Sequence, residues 1–178
     1  ENLVNQAAVH AAVEGLKNVT MEAFEYAKDK ILMGAERKSA VLSPKTMKNT
    51  AYHEAGHAIV ALFTDGADPI HKATIMPRGR ALGMVMQLPE GDQTQMTLKE
   101  MLARLDVCYG GRVAEEMFFG RENVTSGATS DIEQATNLAR NIVNRFGLSD
   151  AIGPILIDDR TSASMKNEVD KEVKRLLD

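Results

Sequence analysis

The segment His53-Glu54-Ala55-Gly56-His57 constrains this chain more than any other part of it. It lies in a stretch that Ser43-Pro44 opens as a helix N-cap with proline at the first helical position, and that Asp65-Gly66 closes. On an α-helix residues four apart are separated by about 400°, so the two imidazoles project from one face on neighbouring turns and can reach one metal ion. Glu54, about 100° around, lies at the edge of that face: it is poorly placed as a third ligand but well placed to hydrogen-bond a water at the metal. Two imidazoles at this spacing with a carboxylate between them form the arrangement in which the histidines hold zinc and the glutamate is the general base of a hydrolase. A chance pairing of histidines competes with this reading when the five residues stand alone. Here Ala51 and the run Ala58-Ile59-Val60-Ala61-Leu62 predict a largely apolar, buried helix, on which ionisable groups need a partner.

Composition narrows what completes the site. The chain has 178 residues, one cysteine and four histidines, so it forms no internal disulfide and no cysteine-rich zinc cluster, and half of its histidines stand in one motif. Its 21 Lys+Arg against 25 Asp+Glu give a net charge of −4, which lacks the basic surplus of a nucleic-acid clamp or a polybasic membrane surface. No segment reaches the roughly 18 uninterrupted apolar residues of a membrane-spanning helix. The chain as given is expected to be soluble; it starts without methionine inside a predicted helix, as a piece of a longer protein would, and an anchor would lie outside it.

The rest of the chain reads as mainly helical with a small β layer. Leu3, Val4, Ala7, Ala8, Ala11 and Ala12 recur at helical spacing up to Gly15, and Thr20 caps a second helix that Gly34 stops. A charged stretch follows, and a boundary is expected near residues 34–43. Residues 71–76 and 83–88 read as short strands of a hairpin or edge layer, punctuated by Pro77, Gly79, Pro89 and Gly91. Thr97 with Glu100, and Ser130 with Glu133, form capping boxes that open two further helices. The first carries Gly110-Gly111, a pair that costs about 1 kcal/mol per glycine relative to alanine and is best explained by close packing against a neighbouring helix. A last amphipathic helix places Met165, Val169, Val173, Leu176 and Leu177 on one face.

A catalytic zinc needs a third protein ligand and an open fourth position. The extended metzincin pattern fails, because Val60 stands where it needs Gly and Phe63 where it needs His. Spacing alone leaves three candidates: His71 on a predicted strand, which also reads as an ordinary strand-edge histidine; Glu115 beside Glu116 on the double-glycine helix; and Asp131, which equally reads as a helix-dipole acid.

Four segments carry a family resemblance: Tyr52-His53-Glu54-Ala55-Gly56-His57-Ala58, Lys72-Ala73-Thr74-Ile75-Met76-Pro77-Arg78-Gly79, Gly110-Gly111-Arg112-Val113-Ala114-Glu115-Glu116 and Thr125-Ser126-Gly127-Ala128-Thr129-Ser130-Asp131-Ile132. In them the chain resembles the proteolytic part of the FtsH family, membrane-anchored ATP-dependent zinc metalloproteases whose AAA+ module feeds unfolded protein to a zincin-like peptidase domain. Met76-Pro77-Arg78-Gly79-Arg80 and Leu105-Asp106-Val107-Cys108 are most similar to the mitochondrial i-AAA, Yme-like branch. The resemblance implies that Asp131 completes the zinc site with His53 and His57, that Glu54 is the general base, and that Glu115 orients a histidine ligand. It implies that residues 1–34 are the end of the AAA+ lid and residues 35–178 the protease domain, truncated at its C-terminus. It further implies a homohexameric parent in the mitochondrial inner membrane, or in a bacterial inner membrane or plastid, acting on unfolded or membrane-extracted polypeptides. The chain has no Gly-x-x-x-x-Gly-Lys-Ser/Thr loop, so ATP is expected to be used by the parent and not bound here.

Zincins pair an exposed strand near the metal with the substrate backbone, and Lys72, Ala73, Thr74, Ile75 and Met76 are the expected substrate strand, with residues 83–86 the other choice. Two readings from other classes compete with an autonomous peptidase: a catalytically silent hexamer-assembly module, and a helical binding domain around a structural zinc.

Overall fold

A computed structural model describes residues 2–89 and 91–178; Glu1, the first residue of the expected 1–34 unit, lies outside the described residues. The element order is α1 (Asn2–Val13), α2 (Met21–Met33), α3 (Pro44–Phe63), β1 (Ile70–Thr74), β2 (Met84–Gln87), α4 (Leu98–Phe119), α5 (Thr129–Asn144) and α6 (Ala163–Leu177), with two short 3₁₀ turns, Arg121–Asn123 and Ser126–Ala128, between α4 and α5.

Local signals set most of these boundaries. Thr20 accepts from Ala23 N–H at the start of α2, Ser43 from Thr46 N–H ahead of Pro44, and the Thr97–Glu100 capping box is closed in both directions. The Ser130–Glu133 box does not form. The 3₁₀ turn Ser126–Ala128 runs directly into α5, which starts at Thr129 without a side-chain cap, and Asp131 falls in its first turn.

α4, α5 and α6 build the main core, in which Leu105, Ala139, Ile142, Val143, Val169 and Val173 are buried together. Fully buried Ile142 contributes on the order of 2–5 kcal/mol relative to alanine. α1 and α2 pack on each other through a separate cluster, Ala7, Ala11, Ala23 and Ala27. α3 crosses α4 at Gly56 and Gly110, where a Cβ on Gly56 would lie 2.2 Å from the Gly110 carbonyl oxygen. Gly110 of the double glycine therefore serves backbone-to-backbone contact, the close helix packing that the pair's cost suggested. α3 departs from expectation in its burial: the face of His53, Gly56, His57 and Ala61 is covered, whereas Ile59 and Phe63 are exposed. Apolar content over the whole turn predicted an enclosed helix; only the face against α4 is enclosed.

β1 and β2 form a two-stranded antiparallel sheet with Lys72 opposite Met86, Ala73 opposite Val85 and Thr74 opposite Met84. The register slips between Ile70 and Lys72, leaving His71 as the extra residue of a bulge.

Candidate metal centre

Three elements converge on one point. α3 supplies His53 and His57, whose Nε2 atoms lie 3.0 Å apart, and the first turn of α5 supplies Asp131, whose Oδ2 is 3.3 Å from His53 Nε2 and 3.6 Å from His57 Nε2. One ligand atom from each of the three falls within 4.8 Å of the others. α4 forms the floor: a Cβ on Gly111 would sit 2.6 Å from the Nε2 atoms of both histidines, so only glycine lets this backbone lie against the imidazoles.

The outer nitrogens decide what the inner ones present. His57 Nδ1 is 2.6 Å from the Val107 carbonyl oxygen, which can only accept, so Nδ1 carries the proton. His53 Nδ1 is 2.7 Å from Glu115 Oε1, and the Glu115 carboxylate also accepts from the Thr125 backbone N–H at 2.7 Å and the Thr125 hydroxyl at 3.2 Å. With both Nδ1 atoms donating outward, neutral rings turn two bare Nε2 lone pairs towards each other and towards a carboxylate oxygen. Three acceptors facing one point repel one another unless a cation lies between them. The protonation energetics agree. Burial disfavours the His53 imidazolium, yet hydrogen bonds to Asp131 and Glu115 outweigh it and raise the pKa above the ordinary imidazole value. Burial alone would also raise the Asp131 carboxyl, but its bonds to His53 and His57 hold it well below the usual carboxylate range. The site attracts positive charge, and two imidazoles with one carboxylate are a donor set that suits zinc.

Glu54 stands beside this cluster without joining it. Its side chain lies against the start of β2, where a Cβ on Gly83 would come within 2.7 Å of Oε1. Burial is the largest influence on its carboxyl and raises the pKa, against the opposing pull of the two imidazoles.

The expected site residues separate as follows. His53, His57 and Asp131 converge, Glu54 flanks them, and Glu115 bonds the outer nitrogen of His53. His71 is elsewhere, 3.4 Å from Asp29 on α2. Lys72, Ala73 and Thr74 lie in β1, and Ile75 and Met76 follow it; none of the five lines the groove over the metal centre, which is bordered by Met84, Val85, Met86 and Gln87 of β2. Both strands pack on α3, but only β2 reaches the rim of the groove. Gly83 belongs to the 83–86 segment offered as the other choice of substrate strand, whereas Gly111 and the Val107 carbonyl were not singled out as site groups from the sequence. The double glycine signalled a close approach, but a backbone carbonyl that orients a ligand leaves no trace in residue identity.

A model of peptidase family M41 matches residues 40–178. The chain is 58% identical over 176 residues to the ATP-dependent zinc metalloprotease FTSH 11, chloroplastic/mitochondrial, of Arabidopsis thaliana, a match covering 99% of this chain and 22% of that protein. It is 55% identical over 184 residues to the ATP-dependent zinc metalloprotease FtsH of Caulobacter vibrioides, covering 99% and 29%. It is 52% identical over 179 residues to the mitochondrial inner membrane i-AAA protease supercomplex subunit YME1 of Saccharomyces cerevisiae, covering 99% and 24%. The chain thus spans 22–29% of the length of these relatives.

Proposed function

The chain belongs to peptidase family M41, and from that premise we propose that it is the zinc endopeptidase portion of a longer ATP-dependent protease. The observation that carries this reading is the convergence of two bare imidazole nitrogens and one carboxylate oxygen beside an unengaged glutamate in an open groove. His53, His57 and Asp131 hold the metal. When bound, zinc supplies a Lewis acid that polarises a peptide carbonyl and acidifies water. Glu54 takes a proton from the attacking water and passes it to the leaving amine, a role its burial-raised basicity suits. Glu115 and the Val107 carbonyl keep the Nδ1 protons outward, so that both rings face inward with a lone pair. Among the described residues no fourth protein ligand joins the three, which favours a catalytic site over a closed structural one.

β2 is the strand that would pair with the substrate backbone, because it borders the groove and, among the described residues, its edge away from β1 has no strand partner. Main-chain pairing asks little of the substrate sequence, which fits unfolded polypeptides. The family match starting at residue 40 and the separate α1–α2 core support 1–34 as the end of an AAA+ lid and 35–178 as the peptidase domain. The homohexameric parent rests on the family resemblance alone, whereas the names of the relatives support an organellar membrane for it, the mitochondrial inner membrane first. No described helix is long and apolar enough to cross a membrane.

The test is Glu54→Gln. It should retain zinc and lose hydrolysis of unfolded casein by about 10²–10⁴-fold. An active Glu54→Gln protein overturns the mechanism, and a zinc-loaded wild-type chain that remains inactive when joined to its ATPase overturns the enzyme reading.

A further inference from the structure

Two charged side chains that this chemistry does not use are buried far from the metal, in the seam between α2 and β1. Asp29 and Arg78 are each only 5% exposed. A buried charge persists only where it is paired, and here every pair crosses the seam. Asp29 on α2 is ion-paired with Lys72 Nζ on β1 and lies 3.4 Å from His71 Nε2 on the same strand. Burial would raise the Asp29 carboxyl, but the bond to Lys72 and its charge outweigh it and keep the group ionised. Arg78, beyond the end of β1, donates to the Gly34 carbonyl and to Glu36 Oε1, both at 2.8 Å, and the Arg37 N–H donates to the Pro77 carbonyl at 2.7 Å.

The seam matters because of what the sheet is attached to. A two-stranded sheet is marginal by itself and needs a packed layer behind it. β1 is paired along its length with β2, β2 borders the groove, and Gly83, immediately before β2, lies so close to Glu54 that a Cβ there would be 2.7 Å from Oε1. The bulge at His71 presents that side chain to Asp29. A shift of α2 relative to β1 is therefore transmitted, through hydrogen-bonded strands, to the substrate side of the groove.

We propose that the α1–α2 hairpin, which precedes the family match, is a positioning element for the substrate groove, with Asp29 as the residue that clamps β1 and thereby holds β2 in register with the metal centre. This rests on the peptidase reading. The clamp acts on substrate affinity, since none of its residues reaches the reacting atoms.

The experiment uses the full chain, loaded with zinc, in three forms besides wild type: Asp29→Asn, the milder Lys72→Met at an exposed side chain, and the exchange Asp29→Lys with Lys72→Asp. Amide hydrogen exchange in residues 70–74 and 84–87 should quicken about tenfold or more in both single variants, while α4 and α5 keep their protection. KM for unfolded casein should rise about threefold or more with kcat within about twofold, zinc content should stay unchanged, and the charge exchange should recover part of both effects. Unchanged strand exchange in both single variants overturns the clamp, and quickened strand exchange with unaltered KM overturns its link to the substrate. Should the wild-type chain hydrolyse nothing even when joined to its ATPase, the peptidase reading falls, and strand exchange alone decides whether Asp29 holds the sheet.

Discussion

His53 Nδ1 and Glu115 Oε1 meet at 2.7 Å although 62 residues separate them, and this contact determines which nitrogen of the ring faces the metal position. Removing the charge of Glu115 should loosen that choice. Glu115→Gln is expected to keep the fold and weaken zinc binding by about 10–100-fold in chelator competition. Wild-type affinity in this variant would show that the Asp131 and Val107 contacts orient the site without it.

Asp131→Ala removes the carboxylate that brings α5 to the imidazoles. Zinc content per chain, measured after dialysis, should drop together with hydrolysis. Full occupancy would return the third-ligand role to another group, with Glu115 the first candidate.

Gly111→Ala separates site geometry from fold stability. In an isolated helix the exchange would gain about 1 kcal/mol, yet the new Cβ would sit 2.6 Å from both Nε2 atoms. The expected protein retains its helical circular dichroism and loses most of its zinc. A variant that binds zinc as wild type would mean that the helices separate without cost.

Gly56→Ala tests the helix crossing. Its Cβ would lie 2.2 Å from a backbone oxygen of Gly110, which cannot turn aside as a side chain does. Overpacking of this kind costs about 1–3 kcal/mol or more, so Tm should drop by roughly 2–12 °C for a chain of this size. Gly91→Ala, with open space around it and no left-handed backbone, is the control and should melt as wild type.

Stability should also fall in acid through Glu172. Its carboxyl accepts from Arg175 at 2.7 and 2.9 Å and from the Ser149 hydroxyl at 2.8 Å, and the Arg175 bond chiefly holds its pKa below the ordinary glutamate value. A depressed folded pKa means stability that is fully present above the unfolded value of about 4.3 and is lost as pH falls through the folded value. Glu172→Gln should lower Tm near neutrality and flatten its decline below about pH 4. An acid limb as steep as that of wild type would exclude Glu172 as a contributor.

Much of the fold was legible because its signals are local. Thr20, Ser43 and Thr97 mark helix starts by satisfying nearby N–H groups, and Gly15 and Gly34 mark stops by adopting positive φ. The signal failed at Ser130, where a 3₁₀ turn leads into α5 and makes a side-chain cap unnecessary. It failed again on α3, since apolar residues show that a helix can be buried but not how much of it a neighbour covers.

What the sequence determined by itself is the pairing of His53 with His57 and the offset of Glu54, because helical geometry fixes the relative directions of residues within one turn whatever surrounds them. Spacing left His71, Glu115 and Asp131 open as the third group, and a family resemblance was needed to prefer Asp131. Only the tertiary structure decided that Asp131 faces the imidazoles, that Glu115 stands behind one of them, that His71 turns to Asp29, and that β2 instead of β1 borders the groove. These depend on distances between segments tens of residues apart, which are set by how closely α3 crosses α4 at Gly56 and Gly110 and by which way the sheet folds over them.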